Sequence, residues 1–222
     1  MKHQWLVAAA TAGLAAILGG CAMTAAPVAP GGAVTANAGA DSNRSARWRS
    51  IATPRDEERL RGWWQAWTDA LASARARGHQ AEISAAGVLL EPMAAQPNPH
   101  IPPGDYACRV IKLGAREAGN LAFVAYPQFR CRIAAEQEIF SFTKLNGSQR
   151  PVGLLFDDSD QRQIFLGTLM LGDERQALDY GADPQRDMAG MLERIGPRRW
   201  RLVLPRPAYE SLLDVIELVP LD

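Results

Sequence analysis

Histidine is scarce in this chain: three in 222 residues, with His3 near the start and His79 and His100 beside glycine or proline. A serine or cysteine triad needs a histidine as its base, and neither of the latter two sits in a motif that would serve. Cysteine is equally rare at three, with no Cys-x-x-Cys spacing, so no zinc set and no dithiol redox motif is legible. The reading is therefore of a protein without metal and without cofactor. No glycine-rich loop runs from a strand into a helix to cradle phosphate. Charge of one sign is missing too: 24 basic residues balance 24 acidic ones, which removes the electrostatic argument for nucleic acid. Arg198, Arg199 and Arg201 flank Trp200, but strand alternation puts the tryptophan inside and the charges outside, so this is not a base-stacking patch.

What the sequence does have begins at its amino terminus. Lys2 is followed by an apolar run from Trp5 to Leu18, then by Gly19-Gly20-Cys21. A spanning helix needs roughly 20 apolar residues, and this run is shorter. The layout is that of a cleaved export signal over residues 1–20. Leu18-Gly19-Gly20-Cys21 resembles a lipobox, which implies lipidation of Cys21 and membrane attachment through the lipid anchor. Position 22 is alanine rather than the aspartate associated with inner-membrane retention, so the expected location is the periplasmic side of the envelope, at the outer membrane. Residues 21–50 are dominated by Ala, Gly, Pro, Ser, Thr and Asn. Such a stretch has too few large apolar groups to offset its ordering entropy and reads as a tether.

Without the leader the chain carries 23 basic and 24 acidic residues, a formal charge of −1. Residues 51–222 are enough for one domain. Once Cys21 is lipidated, Cys108 and Cys131 remain, and an even pair in an oxidising compartment is expected to form a disulfide. Their midpoint falls between Gly119 and Asn120, which are turn-prone. A hairpin folded there places the cysteines opposite each other, while a bridge between non-adjacent strands is the alternative.

Thr53-Pro54-Arg55-Asp56 signals a helix start, with a capping hydroxyl, proline at the first helical position and acid in the first turn. Leu60, Trp63, Trp64, Trp67 and Leu71 recur at three- and four-residue steps and Gly78 offers a stop, so the expectation is one amphipathic helix over about 54–77. Its tryptophan stripe docks on the sheet or, alternatively, lines a ligand groove or touches lipid headgroups. Residues 81–103 form an apolar, proline-rich connector with a short helix around Ser84 to Leu90. The β region, 104–219, holds eight candidate strands: Gly104 to Leu113, Ala122 to Ile133 with a bend at Pro127, Glu138 to Thr143, Val152 to Phe156, Gln163 to Leu171, Asp187 to Ile195, Arg199 to Leu204 and Leu213 to Val219. Period-two alternation, as in Trp200, Leu202 and Leu204, fits antiparallel strands with one buried face. The expected fold class is α+β, mostly β: the helix packed on an antiparallel eight-stranded barrel-like sheet, with a sandwich as the runner-up.

Several runs carry a family resemblance: Pro103-Gly104-Asp105-Tyr106-Ala107-Cys108-Arg109, Ile111-Lys112-Leu113-Gly114, Gly147-Ser148-Gln149-Arg150, Phe165-Leu166-Gly167, Arg186-Asp187-Met188-Ala189-Gly190 and Trp200-Arg201-Leu202. Spread over about 51–222, they resemble a proteobacterial envelope family known as domain-of-unknown-function 4893, which implies no activity. In layout the chain is also similar to small periplasmic protease inhibitors, which have an eight-stranded barrel and one disulfide. That is an analogy of architecture, and fold does not fix function.

The candidate site residues are Lys144, Ser148, Gln149 and Arg150 together with Arg186 and Asp187. In one reading Arg150 pairs with Asp187 and locks two loops; in the other the cluster is an anion-recognising mouth with an arginine fork. Asp173 with Glu174, and Asp187 with Glu193, are the carboxylate pairs that hydrolysis would use if burial shifted their acidity. No residue is assigned a catalytic role. The leading functional reading is a non-enzymatic binding or inhibitor-like module with an envelope protein, peptide or small ligand as partner. A metal-independent, carboxylate-based cell-wall hydrolase and a structural accessory of an envelope assembly are the alternatives.

Overall fold

The computed structural model describes residues 47–221; the leader, Cys21 and most of the expected tether lie outside the described residues. Helix α1 (Pro54–Arg61) begins as the sequence predicts, with the Thr53 hydroxyl accepting from the Asp56 N–H at 3.2 Å. The single helix expected over 54–77 is two: α1 stops at Gly62, and α2 spans Trp63–Ala76. Glycine is a poor helix former, and the Gly62 N–H turns back to the carbonyls of Glu58 and Leu60. The buried face keeps its period across the break, through Leu60, Ala66, Trp67, Ala70, Leu71 and Ala74; Trp67 on that face is fully buried, whereas Trp64 on its flank is 45% exposed. Gly78, at φ +89°, ends the second helix, with the His79 N–H reaching back to the Ala74 carbonyl. Helix α3 (Gln80–Ala86) and a 3-10 turn (Gly87–Leu90) occupy the start of the connector.

The β region is a closed antiparallel barrel in chain order, β1 (Gly104–Ala115), β2 (Phe123–Glu136), β3 (Ile139–Lys144), β4 (Gln149–Asp157), β5 (Gln163–Leu171), β6 (Asp187–Gly196), β7 (Arg199–Pro205) and β8 (Ser211–Pro220). Pairing of β1 with β8, from Tyr106 against Pro220 to Ala115 against Ser211, closes the ring and removes the sandwich alternative. In β2 the strand continues through Pro127: Arg109 pairs with Gln128 but Ile111 pairs with Ala125, so Tyr126 and Pro127 together face Val110. A bulge accommodates a residue that has no N–H to donate. The disulfide between Cys108 and Cys131 is formed on adjacent strands. The cysteines are not opposite each other, however, because Cys108 pairs with Phe129 and Cys131 with Tyr106. The bridge runs diagonally, with its Cα atoms 5.9 Å apart.

Alternation sorts the strands into two buried faces. Inward-pointing Cys108, Val110, Phe142, Phe165, Leu192, Leu202, Ile216 and Leu218 make one cluster that fills the ring. Gly153 and Gly167 face each other across β4 and β5, and a Cβ on either would strike the Phe165 ring, so the glycines make room for that aromatic. Outward-pointing Leu113, Ile164, Ala189, Val203, Leu213 and Val215 form the second cluster, shared with Trp67, Ala70, Leu71 and Leu89. Gly114, at φ +72°, brings the barrel wall close to α2: an added Cβ there would lie 2.8 Å from the Ala70 Cα.

One end of the barrel is sealed by the connector. Ile101 belongs to the interior cluster, the Tyr106 hydroxyl donates to the Pro102 carbonyl at 2.6 Å, and the Trp200 indole donates to the Pro99 carbonyl at 3.1 Å. The connector is held on the outer wall by Arg201, which is 0% exposed. Its guanidinium pairs with Glu193 and donates to the carbonyls of Leu89, Glu91 and Pro92, capping the last turn of the 3-10 segment.

Candidate functional site

The other end of the barrel is open. It is ringed by the ends of β1, β3, β5 and β7 and the beginnings of β2, β4, β6 and β8, and it holds a cavity of ≈ 150 Å³. Val110, Leu169, Met188, Leu204 and Ile216 make its apolar floor. Aromatic walls come from Tyr126, Phe129 and Tyr209, and polar groups from Lys112, Lys144, Ser148, Gln149, Asp187, Glu210 and Asp214.

Alternation explains why charges point inward here. Lys112 follows Cys108 and Val110 at two-residue steps, Lys144 follows Phe142, and Asp214 precedes Ile216 and Leu218. At mid-barrel these positions are apolar, and at the mouth they become ionic. Lys112 is paired twice, with Asp214 at 3.1 Å and with Glu210 at 3.2 Å. Burial disfavours its charge, but the two carboxylates outweigh that and hold the ammonium protonated. Asp214 also accepts from the Ser211 hydroxyl, so its second oxygen is occupied.

Lys144 is placed differently. It is 4% exposed, its Nζ donates to the backbone carbonyls of Asn146 at 2.7 Å and Gln149 at 3.0 Å, and it stands 3.6 Å from the centroid of the Phe129 ring. Among the described residues no carboxylate lies within ion-pair distance of it. Burial, then the positive charges of Arg150 and Lys112, push its amine down from 10.5 to about 8.

Of the residues singled out from the sequence, Lys144, Ser148, Gln149 and Asp187 border this one cavity. Arg150 and Arg186 do not. The expected pairing of Arg150 with Asp187 is absent: Arg150 Nη2 donates to the Glu174 backbone carbonyl at 2.7 Å, while Asp187 Oδ1 accepts from the Gly181 N–H at 2.8 Å. Arg186 forks onto both carboxylate oxygens of Glu174, at 2.8 and 3.0 Å, and this hydrogen bonding draws the Glu174 carboxyl down to about 2. The loop between β5 and β6 is instead fastened by α1, where Arg59 bridges Asp56 and the Asp187 backbone carbonyl and Tyr180 donates to Asp56.

Of the carboxylates singled out for hydrolysis, Glu174 is committed to Arg186, and Asp187 and Glu193 do not converge. Glu193 is committed to Arg201 on the outer wall, and Asp187 stands at the far end of the same strand, six residues away. Asp187 itself is raised by burial, opposed by its bond to Gly181. Among the described residues no group of three His, Cys, Asp or Glu side chains is gathered to hold a metal. Lys112, Tyr126, Phe129, Tyr209, Glu210 and Asp214 were not singled out from the sequence. The signal available for two of them was parity, a charged residue in step with an otherwise apolar inward face.

A family model described as Domain of unknown function (DUF4893) matches residues 48–218. No curated protein and no solved structure matches the chain.

Proposed function

The chain belongs to the family described as Domain of unknown function (DUF4893), and because that description assigns no activity we propose, from the site itself, a non-enzymatic binding module of the cell envelope. Its ligand enters the open mouth of the barrel. The observation that carries this reading is the asymmetry of the interior: packed side chains fill the ring, the connector seals one end, and the other end keeps a ≈ 150 Å³ cavity with an apolar floor and a polar rim. A concave apolar pocket with a few convergent polar groups is what small-ligand sites are built from. An engineered cavity of about this size accepts benzene, so the mouth takes one side-chain-sized group rather than a large molecule. The same geometry suits a peptide or protein that inserts a single residue while its backbone lies across the rim.

The envelope location rests on the leader and on lipidation at Cys21, read from the sequence alone. Mass spectrometry of the membrane fraction tests it: a mature protein beginning at an acylated Cys21 is expected, and an unacylated chain that keeps its leader rejects it. The binding reading is tested by titrating isotopically labelled protein with benzyl alcohol and following backbone amide resonances. Shifts confined to the neighbourhood of Val110, Leu169, Met188 and Leu204 are expected. Shifts only at the sealed end, around Pro99 and Trp200, or none at all, reject the mouth as a site.

A further inference from the structure

We infer that the mouth pocket takes a small amphipathic monocarboxylate, its one apolar group seated on the floor and its carboxylate held by Lys144; this rests on the reading of the mouth as a binding site. A buried charge is ordinarily paired, and an unpaired one is costly. Lys112 obeys this rule with two carboxylates, but Lys144, one strand beyond β2 on the same side of the opening, has only two backbone carbonyls and an aromatic face. The charges felt most strongly at its ammonium are both positive, Arg150 and Lys112. Arg150 adds to the positive field at Lys144 although it also acts on the Glu174 carboxylate, and its buried Nε has no partner. On the wall built by the end of β3 and the start of β4, Lys144 therefore carries a charge that no carboxylate side chain among the described residues neutralises, and a ligand anion is the missing countercharge.

The rest of the pocket limits what that anion can be. Val110, Leu169, Met188, Leu204 and Ile216 offer no hydrogen bond, so a bare inorganic anion would lose its hydration there without replacement. Glu210 and Asp214 stand on the β8 side of the same cavity. They repel a second negative charge, which favours a monoanion over a phosphate dianion. A carboxylate with one aromatic or branched aliphatic group meets both conditions, and it is also the form of a peptide carboxyl terminus with an apolar last residue.

The test is isothermal titration calorimetry of the full-length protein at neutral pH and low salt, with phenylacetate, phenylacetamide and benzyl alcohol as probes. Phenylacetate is expected to bind at least tenfold more tightly than the amide, and the advantage is expected to vanish in Lys144→Gln while the amide binds as before. Acid and amide binding equally overturns this inference and leaves the mouth standing as an apolar site. A preference for the acid that survives Lys144→Gln overturns the assignment to Lys144. No binding by any probe removes both this inference and the reading beneath it. If Lys144→Gln does not fold, the wild-type comparison of acid with amide still decides the charge preference, and the shift of the Lys144 ammonium resonance on adding phenylacetate decides the residue; an unmoved resonance overturns the assignment.

Discussion

Removing the Arg201 guanidinium strands the buried Glu193 carboxylate and leaves the carbonyls of Leu89 and Pro92 without a donor. Breaking a buried pair by one partner typically costs about 3–5 kcal/mol, whereas replacing both partners by apolar groups is often neutral. Arg201→Met is therefore expected to lower stability by about that amount in urea unfolding, and the double variant Arg201→Met/Glu193→Leu to recover most of it. Lys144 has the opposite sign. Its folded amine titrates near 8 rather than 10.5 because burial and neighbouring cations disfavour the charge. Between those two values the unfolded chain holds a proton that the folded chain has released, so this group makes stability rise with pH across that window. The rise should be missing in Lys144→Met when melting temperatures are compared at pH 7.5 and 10. Alternation gave the orientation of Arg201 correctly, as outward from the barrel. It could not show that outward meant buried, because period two reports which face a side chain takes and not what covers that face. Lys144 was legible as a candidate; its lack of a carboxylate partner depended on long-range placement of β1 and β8, which no local pattern contains.

At the scale of elements, the β1–β2 hairpin is held three ways, by its ladder, by the bulge at Tyr126 and Pro127, and by the diagonal disulfide. Closing a loop of this length removes roughly 3 kcal/mol of freedom from the unfolded chain in the entropy model. Dithiothreitol is expected to lower the melting temperature accordingly, and an unchanged melt would show that the bridge contributes nothing. All eight strands were legible from alternation between turn-rich intervals, and the cap at Thr53 from its residue types. Register was less so: the hairpin turns earlier than Gly119 and Asn120 suggest, with Leu113 against Phe123, so the cysteines miss opposition even after the two-against-one step at Val110 brings them one residue closer, and a proline signals a bend without saying how many residues the bend absorbs. The helical stripe misplaced Trp64. The buried face runs on through the break at the same period, but it is narrower than the stripe of large apolar residues suggests, and Trp64 on its flank is left half-exposed.

Taken whole, the described residues form a ring with one sealed end and one open end; its inner buried face draws on every strand, whereas the outer one leaves most of β2 and β3 uncovered. Among the described residues no strand has a free edge to fray, so amides along β1 and β8 are expected to exchange with solvent only through global unfolding. Hydrogen exchange followed by mass spectrometry in rising denaturant checks this, and early loss of protection along that pairing would contradict it. Closure itself was an inference from strand number and the need to hide edges. The open mouth was not legible, since the sequence does not say which end the connector plugs.

Pairing between Gly104–Ala115 and Ser211–Pro220 joins segments about a hundred positions apart. Until the later segment has left the ribosome, the ring has no way to shut, and β1 and β7 both present bare ladders to whatever is nearby. A chain arrested before Ser211 is thus a sticky half-product rather than a smaller version of the protein, and escort by a chaperone through that interval is what its topology demands.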